Sequence, residues 1–187
     1  MFSYTHPSPE TSVFVVVDMQ EKLVAAMDGQ EASRMISRQK IMLAAARELQ
    51  IPVIVTEQYP KGLGRTVADM ASLLHEGIPH IEKTSFSCFG EIAFRKEIER
   101  RHFKSLVLMG METHVCIQQT AIDALSRGFQ VFLPIDTVCS RNSLDSSISI
   151  DLMRQLDIYV TSSESLLFSL LRDASHPAFK KIVSLLK

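Results

Sequence analysis

Three residues of this 187-residue chain stand where an apolar run gives way to polar sequence: Asp18 after "VFVVV", Lys83 in "PHIEKTSFS" and Cys116 in "SLVLMGMETHVC". A thiol in or near the first turn of a helix is a candidate nucleophile. The helix N-terminus favours an anion and lowers a cysteine from its free value of roughly 8.5. Backbone N–H groups beside it can hold the oxyanion that forms when sulfur attacks a carbonyl. Taken alone, Cys116 equally fits a small buried hydrophobe. Asp18 alone fits a cap on the following "MQEKLVAAM" segment, and Lys83 alone a solvated lysine or a partner for Glu82. Together they offer a carboxylate to take the thiol proton and an ammonium to stabilise both charges.

Such a trio needs elements that bring distant residues to one rim. Six runs of strand length recur, "SVFVVVD", "IPVIVTE", "PHIEKTS", "SLVLMG", "QVFLPID" and "DIYVT", most of them apolar on both faces. Helical segments alternate with them. "EASRMISRQKIMLAAARELQ" sets Met35, Met42, Ala46 and Leu49 on one face, and "FGEIAFRKEIERRHF" and "LDSSISIDLMRQLD" show similar periodicity. The expectation is an α/β fold: a Rossmann-like, three-layer α-β-α sandwich around a mostly parallel six-stranded sheet, with residues 1–187 as a single domain. In open sheets of this kind ligands bind beyond the carboxyl ends of the strands, where Asp18, Lys83 and the Cys116 loop fall. "SRNSLDSSIS" reads as a loop into a helix, with Asp145 or its serine neighbours available as caps. The final "HPAFKKIVSLLK" is amphipathic and is expected to lie against the body of the domain.

Composition narrows the function classes. A formal net charge of -1 argues against a nucleic-acid partner, which needs a concentrated basic surface, and Arg100 and Arg101 alternate with glutamates. No apolar run approaches the roughly 18 residues of a membrane span. The N-terminal "MFSYTHPSPETS" lacks the features of a secretory or transit signal, and Cys88, Cys116 and Cys139 form no CxxC pair. A cytoplasmic protein with free thiols is expected. "HEGIPH" has its second histidine one residue too far for HExxH, with Gly77 and Pro79 in the way. "GLGRTV" lacks the third glycine of a dinucleotide fingerprint and does not close a strand.

The segments "VVVDMQEKL", "VTEQYPKGLG", "IEKTSFSCF", "GMETHVCIQQTAIDAL", "GFQVFLPIDTVCSR" and "TSSESLLFSLLRDASHPAFK" resemble, in order and spacing, the isochorismatase-like superfamily of cysteine hydrolases, especially its isochorismatase domain-containing proteins. The likeness runs from about residue 11 to the C-terminus. It implies the isochorismatase-like hydrolase fold and a catalytic triad of Asp18, Lys83 and Cys116. The thiolate would attack an amide-like carbonyl to give a thioester-like intermediate that water then hydrolyses. It also implies a cis peptide at Met111–Glu112, with the backbone N–H groups of Glu112 and Cys116 as the oxyanion hole. Gln20, Tyr59, Phe86 and His114 would flank the strand ends and shape the pocket.

Two departures refine this. The Asp-x-His metal motif of nicotinamidases falls on Glu57, Gln58 and Tyr59, so neither a catalytic metal nor any other cofactor is expected. Isochorismatases proper lack a cysteine at the nucleophile position, which turns the expectation from vinyl-ether cleavage to C–N hydrolysis. The leading expectation is therefore a metal-independent amidohydrolase acting on a small molecule, and a homo-oligomer, dimer or tetramer, as the superfamily implies. The alternatives are a non-catalytic binding or scaffold domain that keeps the pocket, and a redox-sensing protein pairing Cys116 with Cys88 or Cys139.

Overall fold

The computed structural model describes residues 5–187. Residues 1–4, counted above in the domain and in the stretch read for targeting signals, lie outside the described residues. Among the described residues seven strands form one sheet: β1 (Ser12–Val17), β2 (Val53–Gln58), β3 (His80–Lys83), β4 (Ser105–Met111), β5 (Gln130–Pro134), β6 (Val138–Cys139) and β7 (Tyr159–Thr161). The order is β3-β2-β1-β4-β5-β7, with β6 paired to the end of β4, and every pairing is parallel.

Helices cover both faces, and three short ones, α1 (Glu21–Ala25), α3 (Pro60–Leu63) and α4 (Ala68–Ala71), lie in the connections after β1 and β2. Along β1, Phe14 and Val16 point into one apolar cluster while Val13, Val15 and Val17 point into the other, and all five side chains are fully buried. This is why the run is apolar without alternation. The first cluster is closed by α2 (Gly29–Glu48), α8 (Ser163–Leu171) and α9 (Phe179–Leu185). The α2 face predicted from periodicity is the buried one: Met35, Met42, Ala46 and Leu49 all lie in the core. Ile182 of α9 is fully buried there, so the terminal helix does lie against the body of the fold. The second cluster is closed by α5 (Ile92–Glu99), α6 (Gln118–Ser126) and α7 (Ser143–Gln155). Among the described residues no helix is long and apolar enough to cross a membrane.

Two local expectations differ. Helix α7 is capped by Asn142, whose Oδ1 accepts the Leu144 N–H at 2.9 Å, while Asp145 falls inside the first turn and favours the helix by its charge. Strand β6, only two residues long, has no readable periodicity. The β4–β5 ladder pairs residues 105–107 with 130–132, and Val138–Cys139 then pairs with Gly110 and Met111, extending the sheet under the Cys116 loop.

Gly110 is required at that extension. Its φ is +123°, and a Cβ there would lie 2.0 Å from the carbonyl oxygen of Val17, its register partner on β1. Gly110→Ala is expected to cost about 3 kcal/mol or more, because it combines an unfavourable backbone conformation with a backbone clash. Urea denaturation checks this.

Candidate active site

β1, β3 and β4 end at the same rim, and the chain leaving β1 and β4 bends sharply there. Asp18 adopts φ +53°, a left-handed conformation rare outside glycine, which turns its side chain into the rim as the strand ends. The Met111–Glu112 peptide is cis, and a π-helical turn at Thr113–Ile117 carries Cys116 before α6 begins.

The three groups converge. Lys83 Nζ lies 2.7 Å from Asp18 Oδ2 and 3.5 Å from Cys116 Sγ. Both charged side chains are fully buried, and Cys116 is only 6% exposed. Asp18 is therefore a buried ion-pair partner, and the N-cap position of α1 (Glu21–Ala25) belongs to Gln20. Thr56 donates its hydroxyl to Asp18 Oδ1 at 2.8 Å. Lys83 also donates to Gln58 Oε1 at 2.5 Å and to the carbonyls of Phe86 and Ser85 at 3.1 and 3.2 Å. Burial pulls its ammonium down, yet the charge of Asp18 and the thiols Cys116 and Cys88 more than offset this, so Lys83 is held above the ordinary lysine value.

The thiol departs from expectation. Cys116 is pushed well above the ordinary cysteine range, first by burial and then by the negative charge of the neighbouring Asp18; Lys83 opposes this and loses. The lowering expected from a helix N-terminus fails because Cys116 sits inside a closed π-helical turn beside a buried carboxylate. The resting site therefore sets the thiol beside the Asp18 carboxylate, one of whose oxygens faces the Lys83 ammonium at 2.7 Å. For a thiol in this position to serve as a nucleophile, its proton would have to pass to Asp18 as it attacks. Cys88 is close enough to feel both charges; burial raises it to about 11, and it contacts Thr56 at 3.9 Å. Cys139 is pushed up to about 12 by burial. All three thiols are free.

The flanking residues divide into braces and rim. The Gln20 amide is wholly committed: Oε1 accepts the Gln58 N–H at 2.6 Å, and Nε2 donates to the carbonyls of Gln58 and Gly64. Tyr59 and Phe86 are more than half exposed beside Lys83, whose carbonyl accepts the Tyr59 N–H and whose ammonium meets the Phe86 carbonyl. His114 Nδ1 pairs with Ser140 Oγ at 2.9 Å. At the position of the nicotinamidase metal motif, Glu57 accepts from Thr66 N–H, Thr66 Oγ1 and Arg65, which also bridges to Glu82. Among the described residues, no three His, Cys, Asp or Glu side chains are grouped to hold a metal ion.

Sequence reasoning passed over Thr56 and Arg141, and met Gln58 only at the position of an absent metal motif. Thr56 pairs in register with Val17, one residue before Asp18, so the exit of β2 was a usable signal. Arg141 donates to Glu112 Oε1 through both its backbone N–H, at 3.1 Å, and its Nε, at 3.0 Å. It arrives there by way of β6, which the sequence does not announce.

Comparison with known proteins agrees with this architecture. Residues 12–165 match the model of the isochorismatase domain. The chain is 44% identical over 183 residues to isochorismatase domain-containing protein 1 of Salmo salar, covering 96% of this chain and 62% of that protein, less than two thirds of its length. It is 37% identical over 182 residues to isochorismatase family protein 1B of Dictyostelium discoideum, covering 96% and 87%. Among solved structures, one described as the MAR1 ribonuclease of Caenorhabditis elegans superposes with a TM-score of 0.90 at 35% identity, over 97% of this chain and 92% of that one.

Proposed function

The chain belongs to the isochorismatase domain family, and from that premise we propose that it is a metal-independent cysteine hydrolase cleaving a small amide-like C–N bond. The observation that carries this reading is the buried contact of Asp18, Lys83 and Cys116. A carboxylate and an ammonium taken out of water are costly, and a pair packed against a thiol has chemical use for that cost.

Asp18 takes the thiol proton as sulfur attacks the carbonyl carbon. The C–S bond forms, and the carbonyl oxygen becomes an oxyanion held by the N–H groups of Glu112 and Cys116. Protonated Asp18 then gives its proton to the departing nitrogen as the C–N bond breaks, leaving a thioester on Cys116. Water, deprotonated by Asp18, hydrolyses the thioester and returns the thiol. Lys83 holds Asp18 in place by charge and steadies the sulfur's developing charge. Tyr59, Phe86 and His114 border the substrate, and Gln20 holds the strand exits in place. We take the chain to act as one domain, cytoplasmic and homo-oligomeric as a dimer or tetramer.

The ribonuclease description belongs to the C. elegans protein. A nearly closed thiol and an ammonium shared among Asp18, Gln58 and two carbonyls suit a small acyl group better than a polyanion. The test is a panel of small amides and ureides, with an RNA arm, analysed by product release and intact-mass spectrometry. An acyl adduct on Cys116 with amide turnover is expected; RNA cleavage without any adduct would overturn the reading.

A further inference from the structure

We infer that Arg141 is a positioning residue for the oxyanion hole, acting through Glu112; this rests on the hydrolase reading above. Glu112 is one of the two residues whose N–H groups are assigned to the oxyanion. Its residue exposure is 7%, and the only partners of its carboxylate among the described residues are the two Arg141 donors, both on Oε1. Its carbonyl accepts the N–H groups of Val115 and Ile117 at 3.1 and 3.2 Å, within the turn that holds Cys116. Glu112 is therefore fixed at both ends: its main chain to the nucleophile's turn, and its side chain to Arg141.

The anchor is rigid on its far side. β6 pairs residue by residue with the end of β4, Gly110 with Val138 and Met111 with Cys139, so Arg141 comes two residues after the partner of Met111. An exposed arginine braced on a sheet extension thus grips a nearly buried carboxylate, with its side chain 61% exposed against 9% for Glu112. Loss of the guanidinium leaves that carboxylate with one backbone donor and a reason to rotate toward water, taking its peptide along. Oxyanion donors work only at close range, about 2.7–3.1 Å from the oxygen they serve, so a small rotation is costly to the reaction. A rotation confined to the N–H side of Glu112 keeps its carbonyl bonds to Val115 and Ile117, and with them the thiol's turn. Among the described residues, neither Asp18 nor Lys83 bonds to Glu112 or Arg141.

Two reagents separate these effects. Acylation of Cys116 by p-nitrophenyl acetate passes through a tetrahedral oxyanion: the C–S bond forms, the thiol proton goes to Asp18, and p-nitrophenolate leaves with its electron pair. Alkylation by iodoacetamide is a displacement at a saturated carbon that expels iodide and needs no oxyanion hole. Arg141→Ala is expected to slow acylation about 10–100-fold while alkylation stays within about twofold, and Arg141→Lys, which retains a cation for Glu112, is expected to recover most of the acylation rate. Equal loss in both reactions, unchanged acylation in Arg141→Ala, or no recovery in a folded Arg141→Lys would overturn the inference. If neither reagent labels Cys116 in the wild type, the hydrolase reading itself fails and takes this one with it.

Discussion

Cys116→Ala is expected to lower kcat/KM on any amide the wild type turns over by at least about ten-thousandfold, since no neighbouring group can replace the covalent step. The melting temperature should fall by only a few degrees, because one sulfur is lost from a site held by other bonds. Undiminished turnover in the purified variant would refute the assignment. The thiol's position adds a pH signature. Because burial and Asp18 raise Cys116 above the ordinary cysteine range, its alkylation in the wild type should keep climbing beyond pH 9, where a free thiol levels off. Asp18→Asn removes the negative charge and should shift that climb to lower pH, even as it abolishes hydrolysis.

The second large effect concerns stability. Lys83→Met leaves the Asp18 carboxylate fully buried without its ammonium, and loss of one partner from such a pair costs about 3–5 kcal/mol. Adding Asp18→Asn should recover most of that loss, since the uncompensated charge disappears, and the double variant should remain inactive. Urea titrations of the four members of this cycle measure the coupling. A double variant no more stable than Lys83→Met would show that the pair is not coupled as its 2.7 Å separation requires.

Much of this was legible because the physics is local or periodic. The central strands β1 and β4 are continuous apolar runs buried from both sides. Even β3, which alternates exposed and buried residues, ends visibly, so the exits could be located and Asp18 and Lys83 picked out as polar residues where strands end. The electrostatic state of the thiol was not legible. A motif says that cysteine comes after a strand, but whether the helix dipole or burial wins depends on side chains from β1 and β3 that only the assembled sheet supplies. Arg141 was hidden for a similar reason: its link to Glu112 runs through a two-residue strand too short to leave a pattern. Gln20, read in the sequence as a pocket residue, has a buried amide that ties backbone to backbone.

The sheet grows outward from its centre in two directions, β2 and β3 on one side of β1, β4 and its successors on the other. On the mechanism proposed above, proton handling therefore comes from the first half of the chain, while the sulfur and its oxyanion donors come from the second. The seam between them is the β1–β4 ladder, six consecutive register pairs from Ser12–Ser105 to Val17–Gly110. Changes on either side of that seam can retune acidity or aim separately, and their effects should multiply so long as the ladder does not slip.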